Sequence, residues 1–452
     1  MTSSHLVFGA AGLLLTIGLV MVFSASAIEA ALNDEPAWKP GVQQLIWAFL
    51  GLIAMAVALR LPVGFLRRWS PIALVGVAFL LLLVLIPGIG VRLNGARQWF
   101  DLGFAHLQPS EVAKLVFALW GAHVLALRER YLTTKSLLVP VLPVFGVLSV
   151  LLIAEPDFGA VVTLGLVLVG LLWAGGMPLR WFAVAAAGGA ALLAVVVTFS
   201  VERRERLTAF LDPFADASDS GFQAVRGFYA LATGGLSGVG LGNSAMKWRL
   251  LPEAESDYIF AIIGEELGFL GCLVVITLYG VLAYAGFRIA RRSADRFVQL
   301  ASVAITVWLV GQATMNMGYV VGLLPVTGVT LPLISAGGTS LVLTLFIVGL
   351  LARFARSEPA AIEFERGRRR GRLARLLLPV PAAPVDPVRP RRLPEERGTR
   401  SPAVSTGRTV VPARAGEGRA PAPGRRSTEP AREPGRRQSQ ESGTTRRPGR
   451  PG

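Results

Sequence analysis

Acidic residues crowd the stretch LPEAESDYIFAIIGEELGFL, some before its apolar run and others within it. They are Glu253, Glu255, Asp257, Glu265 and Glu266. A carboxylate at a membrane–water boundary, such as Asp257, can take a proton as a general base. One inside an apolar helix, such as Glu265, needs a partner or water, because an isolated charge there costs about 2.5–3.5 kcal/mol. The stretch predicts a group that takes part in chemistry at its outer end, and acids within the helix that serve packing or line a cavity.

A second set of charges lies in QPSEVAKLVFALW, where Glu111 and Lys114 are three residues apart on one helical face and close enough to pair. The pair has two interpretations: a structural ion pair, or the lining of a polar cavity that receives a charged headgroup. The segment starting at Gln108 places a helix N-terminus at the membrane surface, and Arg97 lies just before it. A helix N-terminus and basic groups would suit an anion such as pyrophosphate.

The stretch GLLPVTGVTLPLISAGGTS, residues 322–340, breaks the helical pattern at membrane depth. It is either a tight outer loop or one wall of a substrate cavity. We favour the wall, because irregular backbone is tolerated there only where protein or a cavity satisfies its polar groups. Ser335, Gly337 and Gly338 are its candidate site residues.

Two further segments have simpler interpretations. Residues 221–242 predict a short amphipathic helix followed by a glycine-rich turn, in a re-entrant or membrane-surface position. The turn lacks the strand and the GK[ST] sequence of a nucleotide-binding loop. AEPDFG, residues 154–159, predicts an outer turn.

The elements that must position these residues are membrane helices. The chain has 452 residues, 53% hydrophobic, with a mean hydropathy of +0.55. Ten apolar stretches have about the 17–25 residues that a helix needs to cross a bilayer. They cover residues 5–27, 42–60, 72–90, 108–127, 137–154, 158–174, 180–200, 258–287, 298–322 and 339–355. The predicted fold class is an all-α polytopic membrane protein of about ten helices, with its membrane domain at 1–356.

The distribution of charge orients these helices. Short loops on one side hold thirteen Lys or Arg and two acids, whereas those on the other side hold three Lys or Arg. By the positive-inside rule the first side is cytoplasmic, both termini lie there, and the large loop at about 201–257 lies outside. The residues Ser24-Ala25-Ser26-Ala27, after the first apolar run, resemble a signal-peptidase cleavage site. The N-terminus lacks the basic region of a signal peptide, however, so we predict that this run is the first membrane helix.

Residues 357–452 differ in composition, with 22 Arg, no Lys and ten acids. They predict a disordered cytoplasmic tail that binds anionic membrane lipids or an acidic partner, or is simply solvated. Because the basic excess lies mostly in this tail, we expect no nucleic-acid binding by the folded part. The single cysteine, Cys272, allows no intramolecular disulfide or cysteine metal cluster. No cofactor is evident, and a divalent cation stays open.

Four stretches, in this order, resemble the SEDS family of shape, elongation, division and sporulation proteins, which includes FtsW and RodA. They are NGARQWFDLGFAHLQPSEVAK (94–114), EPDFG (155–159), GVGLGNS…LPEAESDYIFAIIGEELG (238–268) and GLLPVTGVTLPLISAGGTS (322–340). The resemblance covers about residues 5–355. The GVTLPLIS form, the SAGGTS version and the Arg/Pro-rich tail are most similar to the actinobacterial FtsW group.

The resemblance implies a peptidoglycan glycosyltransferase that polymerises lipid II at the outer leaflet of the plasma membrane, at the division septum. It places the family's essential external aspartate on Asp257 and its Glu/Lys pair on Glu111 and Lys114. It also implies a class B penicillin-binding protein, an FtsI-like transpeptidase, as partner. Other divisome proteins are expected to bind through the tail.

The chain departs from the family pattern beside Asp257. Glu255 and Ser256 replace the usual His-Thr, which changes the local charge. Glu155 stands where Gln is common, and Ala336 where an aromatic is common. Two rival functions remain: a lipid II flippase, supported by the intramembrane charges, and a non-catalytic divisome scaffold, for which the acids near Asp257 would be dispensable.

Overall fold

The structure is a computed structural model that describes residues 3–93, 96–103, 105–129, 133–198, 210–215, 221–248 and 250–359. The predicted tail from residue 360 and much of the predicted outer loop lie outside these residues. The helices with defined bounds are α1 (Ser3–Leu32), α2 (Lys39–Arg60), α3 (Val63–Val84), α4 (Pro109–Leu127), α5 (Thr134–Ala154), α6 (Phe158–Ala174), α7 (Leu179–Thr198), α8 (Phe222–Gly234), α9 (Ile259–Arg292), α10 (Arg296–Val320) and α11 (Gly338–Ala355). The strands are β1 (Gly90–Leu93), β2 (Ala96–Asp101) and β3 (His106–Leu107).

Most of these helices have the properties of membrane spans. In the described part of the chain, eight are long and apolar enough to cross a bilayer, and α6 is an apolar helix of 17 residues. Helix α7 occupies the seventh predicted span. Large apolar side chains are exposed along α2, α3 and α5, where a lipid-facing surface is expected. The prediction of an all-α polytopic membrane protein is confirmed.

The bounds of the third predicted span, 72–90, are wrong. Helix α3 begins at Val63, directly after Pro62, and ends at Val84. The apolar pattern missed the first turns because they carry Arg67 and Arg68. Helix α9 similarly continues beyond its predicted end at 287 to Arg292, since a basic last turn is stabilised by the helix dipole.

A small antiparallel sheet that the hydropathy pattern does not predict joins α3 to α4. Strand β1 pairs with β2, with Gly90 opposite Phe100, and β2 pairs with β3, with Asp101 opposite His106. Hydropathy cannot detect such short, half-polar strands. The sheet is tied to α11, because the Thr339 hydroxyl donates a hydrogen bond of 2.9 Å to the carbonyl of His106.

Glycines allow close packing between the spans. A Cβ on Gly349 of α11 would lie 2.6 Å from the carbonyl oxygen of Met55 in α2. A Cβ on Gly170 of α6 would lie 2.9 Å from Cα of Ala304 in α10. Small residues at helix crossings are typical of membrane bundles, where close van der Waals contact replaces the hydrophobic effect between helices. The rest of the core is filled by buried Leu, Ile, Val, Phe and Ala.

Helix α8 and the glycine-rich turn after it lie against α9. The amide of Val239 donates to the carbonyl of Glu265, and that of Gly240 donates to the carbonyl of Glu266. Helix α9 can accept these bonds because its ladder is broken at Gly268, where φ is +70°. A glycine is required there by both its φ and the backbone that crosses it. The predicted short helix and glycine-rich turn are thus present and packed on protein.

Candidate active site

An open cavity of about 1320 Å³ lies at one end of the bundle. Helices α4, α6 and α11 begin at its wall, and the segment leading into α9 contributes another part of it. Most of the predicted site residues line it: Gln108, Glu111, Lys114, Asp257, Gly337 and Gly338. A helix N-terminus carries about half a positive charge, so several of them together favour an anion in this cavity.

Asp257 lies in the loop that enters α9 and faces the cavity. Its backbone carbonyl accepts hydrogen bonds of 2.9 Å from the Asn316 side-chain amide and from the Tyr319 hydroxyl. Both donors lie on α10, so the loop is fixed in place by a membrane helix. Burial and, to a smaller extent, the nearby Glu253 carboxylate raise the pKa of Asp257 to about 6. A carboxylate with this pKa is charged at neutral pH and is a better base than an exposed aspartate.

Ser335 holds the chain next to Asp257 instead of lining the cavity. Its hydroxyl donates a 2.6 Å hydrogen bond to the carbonyl of Ser256 and accepts one of 2.8 Å from the amide of Leu331. The amide of Ala336 donates to the carbonyl of Glu255 at 2.8 Å. The stretch 322–340 therefore forms the wall predicted for it and also fixes the loop that carries Asp257.

Glu111 and Lys114 form the predicted ion pair, with 2.7 Å between Nζ and Oε1. The two sides of the pair differ in exposure: the Lys114 side chain is 2% exposed and that of Glu111 is 21% exposed. The ammonium also lies 5.1 Å from the centre of the Trp308 ring, a favourable cation–π position. Both residues line the cavity, so the pair is at once a packing contact and part of a polar wall.

Asp157 also lines the cavity, although it was not among the predicted site residues. It caps α6 by accepting a 2.8 Å hydrogen bond from the amide of Ala160. Its other oxygen accepts from the Gln108 amide at 3.0 Å and from the Ser110 hydroxyl at 3.1 Å. Burial is the main cause of the raised pKa of Asp157. The signal was available, since an Asp before an apolar helix is a typical N-cap.

Glu155 lies two residues before this cap and is completely buried. Neither of its carboxyl oxygens has a hydrogen-bond partner among the described residues. Burial, followed by the charge of Asp157, raises the pKa of Glu155 to about 8. The side chain is therefore mostly protonated at neutral pH. A protonated Glu has the shape and neutrality of Gln, the residue that the SEDS resemblance leads one to expect at this position.

Arg97 does not join the site. Its guanidinium donates a 3.1 Å hydrogen bond to the carbonyl of Leu85, at the end of α3. The register of β2 against β1 turns the side chain toward that helix end. Among the described cations, Lys114 is therefore the one that lines the cavity.

Residues 4–359 match the model of the cell cycle protein family FtsW/RodA/SpoVE. The chain belongs to this family. It is 46% identical over 398 residues, 87% of this chain and 75% of the relative, to a protein of Mycobacterium tuberculosis named "Probable peptidoglycan glycosyltransferase FtsW". It is 38% identical to "Stage V sporulation protein E" of Bacillus subtilis, covering 76% of this chain and 94% of that one.

Two solved structures share the fold. One is described as "Structural coordination of polymerization and crosslinking by a peptidoglycan synthase complex"; it has a TM-score of 0.65 and 26% identity, and the match covers 78% of this chain and 97% of that one. The other is the Rod shape determining protein RodA of Thermus thermophilus, with a TM-score of 0.58, 25% identity and coverage of 78% and 96%. The SEDS resemblance, and its actinobacterial FtsW character, are confirmed.

In this FtsW/RodA/SpoVE-family chain the two inner acids of the opening stretch have partners. The Glu265 carboxylate accepts from the Ser244 hydroxyl and, at 2.9 Å, from the amide of Ala245. Glu266 pairs with Lys247 at 3.0 Å and accepts from the Ser24 hydroxyl at 2.8 Å. Sequence reasoning missed Lys247, because it lies in the outer loop by sequence and only folding brings it back into the bundle.

Proposed function

We propose that this chain is a peptidoglycan glycosyltransferase that polymerises lipid II into glycan strands during septal cell-wall synthesis. The observation that carries the proposal is the position of Asp257. Its half-buried carboxylate faces a cavity of about 1320 Å³, into which helix N-termini and Lys114 also point. Most small-ligand pockets have about 300–1,000 Å³, so this cavity has room for more than one substrate. The names and family of the relatives agree with this activity.

Asp257 is the general base in this proposal. It takes the proton from the C4 hydroxyl of the N-acetylglucosamine of an incoming lipid II. The hydroxyl oxygen then attacks the anomeric carbon of N-acetylmuramic acid at the end of the growing strand. A new C–O bond forms there, and the bond to the lipid pyrophosphate breaks. With a pKa of about 6, Asp257 is ionised at neutral pH and ready to accept this proton.

The leaving pyrophosphate needs stabilisation of its developing charge. Lys114 and the N-terminus of α4, with Gln108 at its start, supply it in our proposal. Glu111 orients Lys114 through their ion pair. The backbone at Gly337 and Gly338, where α11 begins, offers a second positive helix end. Arg97 is less suited, since its guanidinium is engaged at the end of α3.

Ser335 has a positioning role. It makes no contribution to the cavity lining, but its hydroxyl fixes the carbonyl of Ser256, immediately before Asp257. Removing that hydrogen bond would let the base move relative to the substrate hydroxyl. Misplacement by about 1 Å can cost on the order of a hundredfold in rate.

We also propose a partner and a place in the cell. One structural neighbour belongs to a complex that coordinates polymerisation with crosslinking, which supports a class B penicillin-binding protein, an FtsI-like transpeptidase, as partner. The cavity then faces outward at the division septum, and both termini are cytoplasmic, in agreement with the positive-inside rule. The Arg-rich tail contacts membrane lipids or other divisome proteins.

The decisive experiment gives labelled lipid II to the purified protein with its transpeptidase partner, with wild type beside Asp257→Ala. Polymer from the wild type and none from the variant is the expected result. Normal polymerisation by Asp257→Ala would remove the base from this role. Movement of lipid II across liposomes without polymer would favour a flippase, and neither activity in the wild type would favour a scaffold.

Deletion of 357–452 tests the tail separately. We expect polymerisation in vitro to survive and septal localisation or partner binding to weaken. Loss of polymerisation would contradict this division of labour.

A further inference from the structure

One wall of the cavity is built by the small sheet between α3 and α4 and has a different character from the rest. The residues that the sheet and its turns contribute are Ala96, Gln98, Trp99, Gly103, Ala105 and His106. The wall is aromatic and uncharged, whereas the parts near Asp257 and Lys114 carry charge. The mechanism proposed above assigns no role to it.

The aromatic residues of this wall are held in a fixed arrangement. The rings of Trp99 and His106 pack edge to face, with their centres 6.5 Å apart and an interplanar angle of 85°. They are diagonal neighbours on paired strands, close enough for aromatic contact. Trp99 is nevertheless only partly buried and lines the cavity. Exposing a large apolar ring to water is unfavourable in free energy, and a ligand that covered the ring would remove this exposure.

Two hydrogen bonds anchor the wall to membrane helices. Thr339, in the first turn of α11, donates to the carbonyl of His106 at 2.9 Å. Gln108, at the start of α4, donates to the side-chain oxygen of Gln98 at 2.9 Å. Gln108 also contacts Asp157, so the sheet belongs to the polar network of the site. Such anchoring gives a rigid platform, which loses little entropy when a ligand binds.

Aromatic faces carry partial negative charge, and the C–H groups on one face of a pyranose ring carry partial positive charge, so the two stack well. Amide side chains such as that of Gln98 can bond the hydroxyl and N-acetyl groups at the ring edge. The platform leads directly into the N-terminus of α4, where we place the leaving pyrophosphate. A sugar on the platform is therefore adjacent to that pyrophosphate and belongs to the strand whose anomeric carbon reacts.

We infer that Trp99, supported by His106 and Gln98, is a carbohydrate-stacking subsite that holds the growing glycan strand between successive additions. This inference rests on the proposed function and deepens it. A subsite that retains the product controls how many units are added before release. Trp99 is thus expected to govern strand length more than the rate of a single addition.

The first test measures binding without turnover. Asp257→Ala protein in nanodiscs is titrated with a soluble tetrasaccharide of alternating N-acetylglucosamine and N-acetylmuramic acid, followed by saturation-transfer NMR. Adding Trp99→Leu should weaken binding about tenfold, the equivalent of about 1.4 kcal/mol. Trp99→Tyr, which keeps an aromatic face, should retain most of it. Trp69→Leu is the matched control, because Trp69 lies on α3, is 48% exposed and is outside the cavity lining.

The second test compares glycan lengths made from labelled lipid II by otherwise wild-type complexes. Trp99→Leu should give strands several-fold shorter, with Trp99→Tyr between it and the wild type and Trp69→Leu unchanged. Thermal unfolding shows that each variant is folded. Equal tetrasaccharide affinity and equal strand length in folded Trp99→Leu would overturn the subsite. Activity in Asp257→Ala would instead overturn the proposed base, and leave the tetrasaccharide result to decide the platform separately.

Discussion

Two groups of acids lie about ten residues apart in one stretch of chain and are treated oppositely by the fold. Asp257 at the mouth has its backbone fixed by Asn316 and Tyr319, while its carboxylate faces the cavity. Glu266, inside α9, has its carboxylate bound by a lysine and a serine. At Asp257 the contacts hold the backbone and leave the carboxylate open to the cavity, whereas at Glu266 they hold the carboxylate itself inside the bundle.

The first prediction tests Asp257, the acid that faces the cavity. Asp257→Asn should lower polymerisation by about 10²–10⁴-fold, the usual contribution of a general base. The thermal midpoint should stay near that of the wild type, since the hydrogen bonds from α10 go to the carbonyl, which the substitution keeps. Lipid II turnover and thermal unfolding of the same preparation are the measurements. A large fall in the midpoint would mean that the carboxylate itself is structural.

The second prediction tests the buried ion pair of Lys247 and Glu266. Lys247→Met leaves Glu266 buried without its cation and should cost about 3–5 kcal/mol of unfolding free energy. Both side chains are almost fully buried, 2% and 0% exposed. The double variant Lys247→Met with Glu266→Met should regain most of this loss, because apolar replacement of a buried ion pair is often close to neutral. A double variant as unstable as the single one would show that other contacts of Lys247 matter more.

The third prediction concerns Ser335, which restrains the backbone next to Asp257. Ser335→Ala removes a partly buried hydrogen bond to the carbonyl of Ser256, and a typical hydrogen bond contributes about 0.5–1.5 kcal/mol to stability. We expect kcat to fall about tenfold and KM for lipid II to stay unchanged, since Ser335 positions the base and does not line the cavity. A higher KM with normal kcat would indicate direct contact with substrate.

The fourth prediction is a pH profile. The raised pKa of Asp257 means that the base becomes protonated, and activity falls, as the pH drops through about 6. Glu253→Gln removes the nearby negative charge and should move this acidic limb to lower pH. The movement should be smaller than the whole rise in pKa, since burial is the larger cause. Initial rates between pH 5 and 8 measure it, and a limb unmoved by Glu253→Gln would leave burial as its whole cause.

The fifth prediction has the smallest expected effect at the active site and concerns Glu155. Its folded-state pKa of about 8 lies above the ordinary value of 4.5, so the stability that protonated Glu155 contributes is fully present below pH 4.5 and is lost as the pH rises through about 8. Glu155→Gln stays neutral throughout. Its thermal midpoint should exceed that of the wild type at pH 8, and the advantage should shrink toward pH 5. Polymerisation should be nearly unchanged. If Glu155→Gln and the wild type had the same midpoint at both pH 5 and pH 8, Glu155 would be charged in the folded protein.

Much of the fold could be predicted from hydropathy and length, because the bilayer imposes both. The sheet of β1 to β3 could not, since its strands are short and held largely by backbone bonds, with side-chain contacts from Thr339 and Gln108. Within the site, the Glu111–Lys114 pair was predictable because helix geometry alone brings residues three apart together. Lys247 with Glu266, and Gln108 with Asp157, were not predictable, because these contacts depend on which loops and helices meet in space.

The contact of Ser24 with Glu266 has a consequence for biogenesis. The two residues are 242 positions apart in the chain, so α1 enters the membrane long before its partner is synthesised. Until the segment between α8 and α9 brings Lys247 into the bundle, the first turns of α9 carry a carboxylate that the bilayer disfavours by about 2.5–3.5 kcal/mol. Full insertion of α9 is therefore coupled to docking of the loop that leads to Asp257. The active site is completed only afterwards, when α10 and the segment before α11 arrive and hold the Asp257 loop through Asn316, Tyr319 and Ser335.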